Sequence, residues 1–175
     1  IKILRKRGDA MQNAVPKGVG GMVAVLGSKI EIIEKILNEN QDKLSVQIAN
    51  DNSEGQIVLS GKNIDLDNFM QILKKNNIKN LKLPVSAPFH CKLMSKATEI
   101  MKNELEKIKF LDAKNILISN VTANEILKKD EIKRLLIEQI ESRVRWRESV
   151  MNMINNGVDY FIEIGPGKVL SGLIK

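Results

Sequence analysis

Leu44-Ser45-Val46-Gln47-Ile48-Ala49-Asn50-Asp51-Asn52-Ser53-Glu54-Gly55-Gln56-Ile57-Val58-Leu59-Ser60 is the stretch that decides the fold. Residues 44–48 read as a strand, the polar run 50–55 as a turn and residues 56–60 as a second strand, so the two pair antiparallel. A helix is expected on each side. The first runs from Ser28 to about residue 38, with Ser28 as N-cap and Glu31 three residues on completing a capping box. The second covers about residues 64–76 and carries Leu66, Phe69, Met70 and Leu73 on one face. Apolar strands at 22–27 and 81–85 close the set. Residues 22–85 therefore spell β-α-β-β-α-β, the split βαβ order of ferredoxin-like units.

Outward from this unit the pattern changes. Leu4, Met11 and Val15 recur at helical spacing until Pro16, Gly18, Gly20 and Gly21 break the helix. Downstream, a long amphipathic helix is expected over about 90–108, a strand near 116–121, and helices near 131–139 and 146–156. A strand at 160–164 then meets Gly165-Pro166-Gly167, and a short helix begins near Lys168. Such alternation fits a parallel sheet. The expected architecture is α/β: residues 1–18 and 86–175 form part of one α/β domain, and residues 19–85 form a ferredoxin-like subdomain inserted in it.

The 175 residues are 43% hydrophobic but only 3% aromatic, so the core must be built from Ile, Leu, Val and Met. A single cysteine excludes an internal disulfide and fits a reducing, cytoplasmic setting. No apolar run approaches the ~20 residues of a membrane span. The basic start, Ile1-Lys2-Ile3-Leu4-Arg5-Lys6-Arg7, has no signal-like apolar region behind it. The net charge of +7 fits nucleic acid, an acidic partner or drift towards lysine. The lysines are scattered, and few aromatics stand near them to stack on bases. An acidic partner or substrate, steered by a basic face, is the better reading, and no nucleic-acid partner is expected.

The chemistry centres on the only histidine. His90 follows Leu83-Pro84-Val85-Ser86-Ala87-Pro88-Phe89 and is expected to open the next helix. An imidazole at a strand–helix junction can shuttle protons near neutrality, or it can be a satisfied core histidine; position alone leaves both open. Arg7 offers a planar fork for a carboxylate, although by itself it reads as a solvated arginine on a basic helix. Cys91 is adjacent to His90 but points elsewhere on a helix start, so it reads as a small buried residue. Gly18-Val19-Gly20-Gly21 precedes a strand rather than following one, which excludes a dinucleotide fingerprint. Gly165-Pro166-Gly167-Lys168 lacks phosphate-loop spacing and reads as a tight turn. One His and one Cys cannot build a zinc cage, so no metal is expected. No serine lies in a Gly-x-Ser-x-Gly elbow. The chain reads as the larger, C-terminal part of an enzyme, holding the base of an acyl-transfer site without its nucleophile.

Taken in order, several segments resemble the malonyl-CoA:acyl carrier protein transacylase family. They are Arg7-Gly8 with Met11-Gln12 and Ala14-Val15-Pro16, then Gly21-Met22-Val23-Ala24-Val25-Leu26-Gly27, then Asn50-Asp51-Asn52-Ser53 with Gly55-Gln56-Ile57-Val58-Leu59-Ser60-Gly61. Pro84-Val85-Ser86-Ala87-Pro88-Phe89-His90-Cys91, Val144-Arg145-Trp146 and Glu163-Ile164-Gly165-Pro166-Gly167-Lys168-Val169-Leu170 complete the set. The resemblance implies an α/β-hydrolase-like domain with an inserted ferredoxin-like subdomain. It also implies ping-pong transfer of malonyl from coenzyme A to the phosphopantetheine thiol of acyl carrier protein, with no cofactor.

By the same resemblance, His90 is the general base that activates a serine, and Arg7 grips the free carboxylate of malonate. The backbone carbonyl of Gln139 holds the other histidine nitrogen. Asn52 and Gln56 line the acyl pocket. Phe89 is the bulky residue that in related domains accompanies malonyl rather than methylmalonyl, because a ring leaves no room for an α-branch. The Gly-His-Ser-x-Gly segment and the oxyanion loop are expected upstream of Ile1. The chain alone should therefore be inactive and need that segment, and the complete enzyme should be monomeric. A polyketide acyltransferase domain and a non-catalytic carrier-protein or RNA-binding remnant are the alternatives.

Overall fold

The computed structural model describes residues 1–174. Helix α1 (Lys2–Gln12) leads through a turn into strand β1 (Gly20–Leu26), helix α2 (Ile30–Asn40), strands β2 (Val46–Ser53) and β3 (Gln56–Lys62), helix α3 (Asn63–Lys75) and strand β4 (Lys79–Lys82). These strands lie in the order β4-β1-β3-β2, each antiparallel to its neighbour. Alternation sorts their side chains. Val23, Val25, Ile57 and Leu59 face α2 and α3, where they pack with Ile33, Ile36, Leu66, Phe69 and Leu73 in one core. Met22, Ala49 and Val58 point to the opposite face and meet Leu83 and Phe89. The histidine-bearing loop thus lies on the face of the sheet that the two helices leave uncovered.

Several elements differ from expectation. The polar run 50–53 belongs to β2, and the turn shrinks to Glu54-Gly55, with Gly55 at φ +77°. Backbone ladder bonds outweigh the turn preference of Asn and Asp here. The Ser28–Glu31 capping box does not form. Lys29 occupies the N-cap, and Ser28 Oγ donates instead to the Lys29 carbonyl at 3.5 Å. The fourth strand is β4 at 79–82 rather than 81–85, because Pro84 cannot donate to a ladder.

Beyond β4 the chain forms a 3-10 turn (Lys92–Met94) and helix α4 (Ser95–Glu106), then short strands β5 (Leu117–Ile118) and β6 (Glu125–Ile126). Helix α5 (Lys129–Glu138), strand β7 (Val144–Arg145) and helices α6 (Trp146–Asn155) and α7 (Val169–Leu173) follow. β5 and β6 pair antiparallel, and β7 joins the main sheet parallel to β2. The expected parallel sheet is not present among the described residues. Residues 160–164 are not a strand: nothing among the described residues pairs with them, and Tyr160, Ile162 and Ile164 are exposed. α1, α4 and the end of α5 share a second core of Ala10, Met11, Ala14, Met94, Ala97, Met101, Leu105 and Ile140. Alanines and methionines let these helices approach closely and fill the gaps. Phe89 packs against this core and against the outer face of the sheet, wedging the two together. No described helix is long and apolar enough to cross a membrane.

Candidate active site

His90 does not open a helix, as the sequence reading expected. It sits in a turn with φ +59°, and α4 begins only at Ser95. A left-handed residue other than glycine costs roughly 1–2 kcal/mol, so neighbours must hold it. Pro88 is buried against Gly20, whose missing side chain leaves room for the ring. Phe89 is wedged between two cores. Cys91, 1% exposed, donates its thiol to the Pro88 carbonyl at 3.2 Å. The Lys92 amide donates to Gln47 Oε1 of β2 at 2.8 Å. The turn is therefore anchored on both sides of the histidine.

The ring itself is held from the end of α5. His90 Nδ1 lies 2.9 Å from the backbone carbonyl of Gln139. Gln139 follows the last residue of α5, where a helix leaves its carbonyls without internal partners. A carbonyl only accepts, so a neutral His90 carries its proton on Nδ1 and leaves Nε2 bare. Burial lowers the His90 pKa below the usual histidine value, and the positive charge of Arg7 pushes the same way. The carbonyls of Gln139 and Ser142 act in the opposite direction. The result is a neutral imidazole with a free lone pair, oriented by a backbone carbonyl and by no carboxylate among the described residues.

Arg7, on α1, lines the same cleft of about 470 Å³, together with Gly8, Met11, Met22, Asn50 and Phe89. It is half-buried, and burial alone lowers its pKa. Its guanidinium remains charged and lines the cleft with the histidine, on which its charge acts. Gln12 Nε2 donates to Ser86 Oγ at 2.7 Å, tying the end of α1 to the loop that leads to His90. A cleft with one bare imidazole nitrogen and one guanidinium can take a proton from a nucleophile and hold an anionic group beside it.

The structure brings His90, Arg7, Phe89 and Gln139 together. It does not bring Asn52 or Gln56 to this cleft. Asn52 lines a separate cavity of about 320 Å³ with Arg147 and Met151. Gln56 pairs with Leu26 and Ser53 where the hairpin closes. β2 carries register shifts on either side of Asn50 and Asp51, so the face on which an asparagine lies cannot be counted from the hairpin end. Gly8, Met11, Gln12, Met22 and Asn50 line the cleft without having been given a site role from the sequence. Met22 was recoverable from alternation in β1; Asn50 was hidden by its assignment to a turn. No group of His, Cys, Asp and Glu that could hold a metal occurs among the described residues.

The chain has close counterparts in sequence and in fold. The chain is 44% identical to a malonyl CoA-acyl carrier protein transacylase of Bacillus subtilis (strain 168), over all of this chain and 56% of that protein. A protein of the same description from Staphylococcus aureus (strain MRSA252) is 41% identical, again over the whole chain and 58% of its own length. The crystal structure of malonyl CoA-acyl carrier protein transacylase from Clostridium perfringens superposes with a TM-score of 0.95 at 43% identity, covering 99% of this chain and 55% of that one. The chain thus spans a little over half the length of the relatives it matches. The family model for the acyl transferase domain matches residues 1–175, and with these relatives it shows that the chain belongs to the acyl transferase domain family.

Proposed function

We propose that this chain is the histidine-bearing part of a malonyl-CoA:acyl carrier protein transacylase. The observation that carries the reading is the pairing of His90 Nδ1 with the Gln139 carbonyl in a cleft that also holds Arg7. On this reading a serine in a Gly-His-Ser-x-Gly segment, outside these 175 residues, supplies the nucleophile. His90 Nε2 takes the serine proton as Oγ attacks the thioester carbonyl of malonyl-CoA. The C–S bond breaks, and the same proton goes to the departing coenzyme A thiolate. In the second half-reaction the phosphopantetheine thiol of acyl carrier protein gives its proton to His90 and attacks the seryl ester, and serine leaves with that proton. Arg7 pairs with the free malonyl carboxylate, favouring malonyl over acetyl, and Phe89 narrows the cleft against α-branched acyl groups.

The fold fits this reading. Residues 19–85 act as a ferredoxin-like subdomain set into an α/β-hydrolase-like domain to which residues 1–18 and 86–175 contribute. The basic surface suits an acidic carrier protein, and the setting is the cytoplasm. A polyketide context is the second reading. A solved relative at 34% identity and TM-score 0.92 is described as a type II polyketide synthase acyl-carrier protein in complex with its malonyl-transacylase. The chain by itself is expected to turn over no malonyl-CoA, because it holds no Gly-x-Ser-x-Gly nucleophile.

The test is malonyl transfer to carrier protein by the chain extended upstream through that segment. His90→Ala should lower kcat by roughly 10²–10⁴. Arg7→Ala should erode the preference for malonyl over acetyl. Transfer by the 175-residue chain at an ordinary rate, or full activity of the His90 variant, refutes the assignment.

A further inference from the structure

Beside the cleft lies an ion pair between a buried carboxylate and a partly exposed guanidinium, to which the acyl-transfer reading gives no role. Asp51 of β2 is fully buried. Its carboxylate accepts three hydrogen bonds from Arg147 of α6: Nε donates to Oδ1 at 3.0 Å and to Oδ2 at 3.1 Å, and the terminal nitrogen Nη2 donates to Oδ2 at 2.8 Å. A buried pair is weak evidence for stability, because desolvation offsets attraction; fixing a register is its better-attested use.

Register is what this junction lacks. β2 and β7 are joined by two residue pairs only, Asn50 with Val144 and Asp51 with Arg145. The ladder from β2 to β3 is irregular on both sides of them, between Ile48 and Asn50 and between Asp51 and Ser53. Each bulge leaves a residue unpaired and the ladder locally disrupted, and a slip of one residue would turn the side chains of β2 to the other face. Two parts of the site adjoin it. Asn50 lines the cleft directly. Gln139, whose carbonyl holds His90, stands five residues before β7 at the end of α5. Arg143 of that same connection reaches Glu34 of α2 at 2.7 Å, a second tie to the sheet unit.

We propose that the Asp51–Arg147 pair is the register lock of the site. It pins bulged β2 to β7 and α6, holds Asn50 opposite His90, and keeps the Gln139 carbonyl on His90 Nδ1. Asp51 and Arg147 are positioning residues: they act through Asn50 and the Gln139 carbonyl. Their importance to turnover rests on the reading of His90 as the base, but the positioning itself is measurable without turnover.

The test uses imidazole ¹⁵N shifts of the chain extended upstream through the Gly-His-Ser-x-Gly segment, with the His90 ring signal identified as the one that disappears in His90→Gln. At a pH where His90 is neutral, the native chain should show the Nδ1–H tautomer imposed by Gln139. Free imidazole side chains favour Nε2–H. The double variant Asp51→Asn with Arg147→Met removes both charges together and so leaves no orphaned charge. Arg147→Lys keeps the charge but loses the fork, and carries the test should the double variant fail to fold. Lys82→Met, which breaks the exposed pair with Asp67, is the control. The expected result is a shift of the His90 population towards Nε2–H in the first two variants and none in the control. Retention of the Nδ1–H tautomer in a folded lock variant overturns the proposal. Loss of transfer in His90 variants tests the functional reading separately.

Discussion

Replacing Gly20 with alanine tests how the histidine turn is held. A Cβ at Gly20 would lie 2.4 Å from Pro88 Cγ, 2.8 Å from Pro88 Cβ and 3.0 Å from the Gly61 carbonyl oxygen. Carbon atoms pack at about 3.5–4.0 Å, so the proline ring would have to retreat by roughly 1 Å. Little can yield. Pro88 is buried between fully buried Ala87 and the wedged Phe89, and its ring fixes φ. Gly61 is fixed in β3 by pairing with Gly21 and Val46. Overpacking of this kind costs about 1–3 kcal/mol. In a chain of this size each kcal/mol lowers Tm by roughly 2–4 °C, so a loss of about 6 °C is expected from a mid-range cost of ~2 kcal/mol. A thermal melt followed by circular dichroism measures it. The His90 ring signal should move as well, because His90 stands two residues beyond the displaced proline. A melting temperature within about 1 °C of the parent would refute the claim that Gly20 is required by close approach.

Gly8→Ala is the opposite case: no atom lies within 4 Å of the added Cβ, and Gly8 is inside α1, so a gain of about 0.5–1 kcal/mol is expected in urea unfolding. Arg147→Ala leaves the buried Asp51 carboxylate without its partner; since Arg147 is itself partly exposed and water can follow the truncation, the expected cost is about 3 kcal/mol, the low end for a broken buried pair, by the same measurement. Folding lowers the His90 pKa, so the unfolded chain binds the proton more readily. This contribution to stability is complete above the unfolded value of about 6.5 and is lost as pH falls from there through the folded pKa. The stability of the parent relative to His90→Gln should therefore shrink as pH falls from about 7.5 to about 5, and a difference independent of pH would contradict the burial argument. Phe69→Ala, at a fully buried position between α3 and the sheet, should cost about 3–5 kcal/mol.

The β-α-β-β-α-β order was legible because its signals are local: alternation in β1 and β3, and one apolar face on α3. The site was legible only in part. His90 and Arg7 carry their chemistry in their side chains and can be picked out of a string. The contact that orients His90 is a backbone carbonyl at a helix end; the family resemblance pointed to Gln139, but no residue type announces it. Strand β7 is two residues long and exists only because β2 lies beside it, so its own sequence carries no period to read. Residues 160–164 show the converse: the apolar content of a strand is present, but a strand also needs a neighbour, and pairing is not a property of the segment. The register shifts in β2 set Asn50 at the cleft and Asn52 at a neighbouring cavity, a difference that the resemblance behind Asn52 and Gln56 does not carry.

Cys91 turns the anchoring of this loop into something that can be timed. It is the only thiol in the chain, it adjoins the histidine, and its Sγ is closed inside the turn. Burial also raises its pKa, which holds back the reactive thiolate. An alkylating reagent therefore reaches it only during the moments when the turn over residues 88–91 lets go. Where reclosing outpaces alkylation, the ratio of its labelling rate in the native chain to that in denaturant is the opening constant of this one loop. Substitutions that loosen the histidine can thus be told from those that loosen the whole molecule: the first accelerate labelling while leaving the unfolding midpoint in place.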